Sequence, residues 1–568
     1  MRLLTERASS FALGVNDCAA PDEYLPQQVQ VLVNGRPTFL GNGIEAIRGW
    51  EAISEQINHT DPEVTICYGA IEYRTAAGVQ QIVAAFSDEM YYSLDGGRTF
   101  TQIAGATSLR EDYWSFVIIR EGAANVLCCA NGGTNSYEYD GTTWSTIANA
   151  PSGTKFLAVM GNRLWFAGGD GITVTASAVS DIETQSLSVV ASTNDGDVEI
   201  TGLFQLGSVL LVFKRDSVGF IEGFGYQTLQ VETGARGVSR SVGCVAFRSI
   251  APLGDHGVMW LGEQGFYAYF VGGVVALASE WQRTFTGAIS YDAIRQVPGA
   301  PTATWWARKQ EYVCAVPVHT AYSAALGTPG LHNTWLYCYR PGTEGRAPAA
   351  YMRRYMSTFS DSLSVSTDGE LTHLSDDQTG LLAKIGSNGE LDVTSLPDPG
   401  NWVSRTNGEL HIDTAGVGEA QTTPSCLFTA DYDGEAGRLM AGTYASQIAV
   451  MDSDAPDQEF IMVVRSRPFL FGDEFARKKA KRVTVAASQG VPVTGTLRVI
   501  TDGEYGTAHT LEFDGTTGAG PQELRARVGG RARTLQVDYR TALVDAEANA
   551  AQTIAAISMD AQFLDDQP

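Results

Sequence analysis

Paired metal- or redox-type cysteines are missing from this chain. Its eight cysteines, Cys18, Cys67, Cys128, Cys129, Cys244, Cys314, Cys338 and Cys426, are scattered over 568 residues with no C-x-x-C step. That argues against a zinc ribbon and against a disulfide scaffold. The adjacent Cys128 and Cys129 read as two small hydrophobes on opposite faces of a strand. Histidine is equally sparse, and no two of the seven stand at a metal-binding step such as H-x-x-x-H. No metal, cofactor or catalytic set is expected. There is no G-x-x-x-x-G-K-[ST] loop and no G-x-S-x-G elbow, which argues against NTP hydrolysis and α/β-hydrolase chemistry. No uncharged apolar run reaches the roughly 18 residues of a membrane-spanning helix, so membrane insertion is not expected. The first residues lack the apolar core of about 7–15 residues that a secretory signal carries, so folding in a cytoplasm is expected. Positive charge is short too: 39 basic against 64 acidic residues give a formal charge of −25. That balance opposes tight phosphate contacts to nucleic acid.

Helical periodicity is also missing from 203–273, and what replaces it is informative. Apolar runs of four to eight residues, rich in Val, Leu, Phe and Tyr, alternate with polar or glycine turns, which is the mark of short antiparallel strands joined by hairpins. The same unit recurs. Gly78, Gly122, Gly161, Gly207 and Gly254 each precede a strong apolar run, at spacings of 44, 39, 46 and 47 residues. A period of about 40–50 residues with four short strands per unit predicts a β-propeller. The strand pattern continues through 311–316 and 334–339. The stretch Ser93-Leu94-Asp95-Gly96-Gly97-Arg98-Thr99-Phe100 fits the Asp-box pattern S-x-D-x-G-x-T-F/W. In such a turn Asp95 accepts backbone N–H bonds, Gly97 takes a positive φ, Phe100 plugs the blade, and Ser93 and Thr99 complete the set. One unit on, Asp140-Gly141-Thr142-Thr143-Trp144 repeats the device.

The expected organisation is all-β. Residues 1–63 form an extended arm that packs on something else, and 64–360 form blades of a propeller with about six to eight in all. Residues 361–431, rich in Gly, Asp, Ser, Thr and Asn, are an inserted loop-rich β segment. Residues 432–468 are return strands that close the ring, and 469–568 form a β-sandwich-like domain. The basic cluster 477–482 reads as a solvated turn entering that domain. A short helix or a loop is expected within 541–551. Lys214, Arg215, Asp216, Asp255 and His256 are expected at solvated turns or subunit contacts.

The Asp box invites a sialidase-like reading, for which Arg48, Arg120, Arg236, Arg240, Arg283 and Arg308 are available. Nothing in their spacing selects them, and the chemistry also needs paired acidic groups. A glycan-binding propeller adhesin is a further alternative.

Four places carry a resemblance. The arm runs Leu13-Gly14-Val15-Asn16, then Pro21, 25–34, Gly43-Ile44 and Arg48-Gly49. Centrally, Leu211-Val212-Phe213 with Ser217-Val218 is followed by 243–250 and 258–267. Met440-Ala441-Gly442 leads to Met451-Asp452 and then to 465–468. A β domain ends the chain. In these features the chain resembles the tail nozzle proteins of short-tailed bacteriophages, also called tail hub or head-stabilisation proteins. The resemblance covers nearly the whole chain apart from 361–431, and its motifs are apolar patterns with scattered glycine. It implies a non-enzymatic virion component, made in the host cytoplasm, that assembles as a homo-hexameric ring below a portal and its adaptor ring. Such a ring extends the channel for DNA ejection, carries fibres or spikes, and lets double-stranded DNA pass without sequence-specific binding. The arm and the last β domain would be its docking elements. Six copies at −25 would carry −150, a field that keeps a sliding duplex from adhering.

Overall fold

The computed structural model describes residues 3–9, 14–15, 27–38, 43–55, 57, 66–122, 124–190, 199–222, 230–232, 242–255, 257–270, 273–277, 289–317, 333–342, 349–354, 423–444, 446–453, 462–471, 476–488, 493–502, 504–513, 522–529, 531–541 and 553–563, with strand backbone between 363 and 412. Arg236, Arg240, Arg283, His256 and most of 541–551 lie outside the described residues.

Seven four-stranded antiparallel sheets follow one another around an axis. Blade 1 runs Cys67–Arg74, Gln80–Phe86, Glu89–Ser93 and Thr101–Gln102. Blade 2 runs Ser115–Glu121, Ala124–Ala130, Tyr137–Tyr139 and Trp144–Thr146. Blade 3 runs Phe156–Met160, Arg163–Ala167, Thr173–Ala178 and Asp181–Val190, and blade 4 runs Ile200–Leu206, Val209–Lys214, Val218–Glu222 and Gln230–Glu232. Blade 5 begins with only Ala251–Pro252, then Gly257–Gly262, Gly265–Phe270 and Gly273–Ala276. Blade 6 is Thr302–Trp306, Glu311–Pro317, Asn333–Arg340 and Ala349–Arg354. The chain is an all-β protein built on a seven-bladed propeller.

The repeat has a local cause. Gly78, Gly122, Gly161, Gly207 and Gly254, the residues that set the period, all take positive φ, between 59° and 80°. Each ends the turn ahead of a blade's second strand, where an L side chain would be strained. Those second strands are the most buried part of each blade, with Val83, Leu127, Trp165, Leu211 and Trp260 fully covered. Seven apolar clusters fill the seven junctions between neighbouring blades. Cys129 points into the junction of blades 1 and 2, and Cys128 into that of blades 2 and 3.

The last blade corrects the boundaries read from composition. Its innermost strand, Pro424–Tyr432, lies almost wholly inside the stretch expected to be insertion, and it pairs with Glu435–Thr443, which pairs with Ile448–Met451. Its polar neighbours at 413–423 and 433–434 hid it. The strand Val463–Ser466, expected to close the ring, instead pairs with Gln28–Val33 and Leu535–Thr541 outside the propeller. The outermost strand of blade 7 is Trp50–Ala52, from the arm. Between blades 6 and 7, the inserted residues form a four-stranded sheet (Leu363–Val365, Glu370–Ser375, Gln378–Ile385, Leu391–Asp392) and a hairpin of Val403–Thr406 with Glu409–Ile412.

The arm is not a free element. Leu3–Ser9 pairs with Thr553–Phe563 over seven positions, and Ile44–Ala46 meets the start of that same strand. The sandwich has one sheet centred on Thr553–Phe563 and Lys478–Ser488, and a second built from Gln28–Val33, Val463–Ser466, Leu535–Thr541, Val493–Thr501 and His509–Phe513. Through Gly14–Val15 and Gln28–Val33 the second sheet continues into Ala349–Arg354, so blade 6 and half the sandwich form one 11-stranded sheet. The core of the sandwich runs without a break into the junction of blades 6 and 7. A short apolar run such as Gln28–Val33 looks isolated in sequence because its antiparallel partner, Val463–Ser466, lies 430 or more residues away.

The basic cluster is likewise a strand and not a turn. Lys478 is fully buried and its Nζ donates to Arg533 O at 2.9 Å, while Arg482 pairs with Asp560 at 2.5 Å. Charged side chains masked the alternation with the buried Ala480 and Val483. Lys214, expected at a solvated turn, is only 2% exposed.

Candidate functional site

The innermost strands surround an axial funnel of about 810 Å³, lined by all seven blades. Its wall is mostly main chain and apolar side chains, among them Ile71, Phe116, Leu157, Phe204, Trp305 and Phe428. Glu72 and Arg248 are the charged residues in that lining. Both are already engaged. Glu72 Oε1 accepts from Arg74 Nε at 3.0 Å, and its Oε2 accepts from Asp431 N at 2.8 Å. Arg248 Nη1 donates to Gly299 O and Ser425 O, each at 2.9 Å, and its guanidinium lies 4.6 Å from the centre of the Tyr113 ring.

Arg248 reaches the axis because blade 5 starts late. Phe247–Ser249 form a 3-10 turn ahead of the two-residue strand. Ser249 Oγ donates to Ala246 O and accepts from Leu261 N, and Tyr312 Oη donates to Ser249 O at 2.7 Å. Phe247 meets Phe156 of blade 3 edge to face at 5.1 Å. These two rings also line a second cavity of about 350 Å³ on the face where the innermost strands begin, and so separate it from the funnel. That cavity is edged by Lys155, Glu199, Arg215, Glu263 and the helix Tyr291–Gln296. Arg215 and Glu263 pair with each other at 2.9 Å.

The Asp-box residues are brought together as a turn on the opposite face. Asp95 Oδ1 accepts from Ser93 Oγ (2.7 Å), Arg98 N (3.0 Å) and Thr99 N (2.9 Å), and Asp95 Oδ2 accepts from Thr99 Oγ1 (2.6 Å). Gly97 N donates to Ser93 Oγ at 2.8 Å, with φ of 97° at Gly97. Phe100 packs edge to face on Phe86 at 5.3 Å. Partial burial works against ionisation of Asp95, but the bonds from Thr99, Ser93 and Arg98 outweigh it and hold the carboxyl at about 2. Asp140 does the same in blade 2, accepting from Thr142 N and Thr143 N at 2.7 Å each. A third such turn, Asp170-Gly171-Ile172-Thr173, escaped the sequence reading because it joins the second and third strands of blade 3 and lacks the closing aromatic.

The arginines available to a sialidase-like site do not converge among the described residues. Arg120 is exposed, the backbone of Arg48 is bonded to Asp452, and Arg308 pairs with Glu435. Trp306 is core, under the guanidinium of Arg36.

No protein-family profile and no curated protein matches the chain. Among solved structures, it is similar to the extracellular domain of a hybrid two component system from B. thetaiotaomicron. The identity is 10%, the match covers 71% of this chain and 39% of that one, and the TM-score is 0.37. The N-terminal domain of Nup159 matches at 10% identity over 71% of this chain and 95% of that one, with a TM-score of 0.29. A glycoside hydrolase family 43 arabinoxylan arabinofuranohydrolase from Bacillus subtilis, in complex with cellotetraose, matches at 10% identity over 90% and 99% of the two chains, with a TM-score of 0.22. The seven-bladed topology of this chain rests on its own strand pairings.

Proposed function

We propose that the chain is a non-enzymatic structural subunit of a short-tailed phage tail, a ring-forming nozzle that extends the path of DNA ejection and carries fibres or spikes. The observation that carries the reading is the state of the axial funnel. Its lining offers one carboxylate and one guanidinium, each held by protein groups, where glycoside hydrolysis needs two carboxylic groups about 5–10 Å apart with room for a sugar.

Two further features support it. The stretches that resemble tail nozzle proteins include the packing between blades 4 and 5, where Phe213 and Trp260 meet edge to face at 5.2 Å. The arm, the propeller and the sandwich share sheets and core, giving a stiff body suited to transmitting force around a ring. The docking surfaces toward an adaptor ring then lie on the outside of the sandwich and the blades, not on a free arm.

The test is the mass of the purified chain mixed with its adaptor ring, read by light scattering and negative-stain imaging. Six-fold rings are expected. A stable monomer under those conditions, or turnover or binding across a panel of glycans, overturns the reading.

A further inference from the structure

The funnel wall contains a second chemistry. Cys67 lies on the innermost strand of blade 1 and Cys426 on the innermost strand of blade 7, 359 residues apart in sequence, and their Sγ atoms are 3.6 Å apart. Both are buried free thiols, 0% and 1% exposed. Cys426 borders the funnel, so a small solute would approach the pair from that side, through a wall that leaves the residue 1% exposed.

The surroundings are built to admit two sulfurs. The residue facing Cys426 on the neighbouring strand is Gly442. A Cβ there would lie 2.4 Å from Cys67 Sγ and 2.6 Å from Cys426 Sγ. Ser425, beside Cys426, directs its Oγ–H toward Cys67 O of blade 1 (2.6 Å) and Gly442 O of the second strand of blade 7 (3.0 Å), tying the Cys426 strand to blade 1. Arg248 is tied to Ser425 O, next to Cys426. Burial opposes ionisation at both thiols. It dominates at Cys67, whose thiol is pushed well up, while at Cys426 the contact with Cys67 and the charge of Arg248 favour the thiolate.

We infer that Cys67 and Cys426 are an oxidisable pair that closes into a disulfide, a covalent clasp between the first and last blades. The oxidant is a small peroxide entering by the funnel. Cys426 thiolate attacks one peroxide oxygen, the O–O bond breaks, and a sulfenic acid forms with release of hydroxide, which takes up a proton to become water. Cys67 sulfur then attacks Cys426 Sγ and displaces the sulfenic oxygen, which leaves as a second water with the Cys67 proton. Two thiols and one hydrogen peroxide become one disulfide and two waters. The sulfurs close from 3.6 Å to the roughly 2.05 Å of a bond. The clasp would fall at the seam where a ring of blades opens, and it would tie residues with a long intervening loop, where a cross-link constrains the unfolded chain most.

The test treats the folded full chain with hydrogen peroxide, quenches with an alkylating agent, and counts thiols and maps peptides by mass spectrometry. Loss of two of the eight thiols, a mass about 2 Da lower before alkylation, a cross-linked peptide joining Cys67 to Cys426, and a thermal midpoint a few degrees higher that dithiothreitol reverses are expected. Cys67→Ala should abolish the cross-link and leave oxygen adducts on Cys426. Peptide mapping of the unaltered chain needs no variant, so it decides the matter even if Cys67→Ala misfolds. Eight unreacted thiols, stable oxygen adducts without cross-linking in the unaltered chain, or a different cysteine pair overturns the inference.

Discussion

The guanidinium of Arg98 lies over the ring of Tyr432, 4.7 Å from its centre, and pairs with Asp433 at 3.1 Å. Arg98 belongs to the Asp box of blade 1, and Tyr432 and Asp433 to the first hairpin of blade 7. The turn recognised in the sequence as a local motif therefore stands at the closure of the ring. Gly97 in the same turn approaches Ile448 of blade 7 and Ile53 just past the arm strand Trp50–Ala52.

Asp95→Ala removes the acceptor for four bonds in that turn and should lower stability by about 1–2 kcal/mol, read from urea denaturation. The sign with pH follows from the depressed native value. The stabilisation is full above the unfolded carboxyl value of about 3.9 and is lost as pH falls through about 2. The gap between wild type and variant should be constant from neutral pH to about pH 5 and shrink below pH 4. A gap that widened on acidification would contradict this account.

The ion pair at the closure of the ring and the ion pair that holds the arm should differ in strength. Arg98 and Asp433 are 46% and 67% exposed, so Asp433→Ala should cost less than about 1 kcal/mol. Glu6 and Arg467 are 20% and 9% exposed, 2.7 Å apart, and Glu6 Oε2 also accepts from Phe471 N at 2.6 Å. Glu6→Ala should cost about 1.5–3 kcal/mol. Chemical denaturation of both variants checks the order, and equal losses would argue against an arm bonded into the body.

Trp260→Ala should empty the junction of blades 4 and 5. Trp260 is fully buried, meets Phe213 at 5.2 Å and donates its Nε1–H to Gly243 O at 3.0 Å. The expected loss is about 3–5 kcal/mol, measured as a fall in the denaturation midpoint, with Phe213→Leu falling less.

Gly442→Ala should cost about 1–3 kcal/mol because the added methyl meets both sulfurs of the Cys67–Cys426 pair. Combining it with Cys67→Ala should recover part of that loss, because the nearer sulfur is gone while Cys426 Sγ at 2.6 Å and the Cβ of residue 67 at 2.8 Å still crowd the methyl. A double-mutant cycle on denaturation midpoints reads the coupling, and additive losses would mean the glycine serves another purpose.

The repeat was legible because its determinants are local. A glycine at positive φ and an apolar second strand recur through blades 1 to 5, and the Asp-box residues Ser93, Asp95, Gly97, Thr99 and Phe100 bond within eight residues of one another. What escaped was non-local. The pairing of Trp50–Ala52 with Ile448–Met451 and of Leu3–Ser9 with Thr553–Phe563 depends on segments hundreds of residues apart, and short strands carry no mark of their partner.

The sequence alone determined the all-β class, the blade period and the Asp-box turns, since φ preferences and two-residue alternation act between near neighbours. Only the tertiary structure decided that there are seven blades, that an arm strand closes the last one, and that Cys67 and Cys426 meet at the closure. Those contacts exist only once the ring has brought its two ends together.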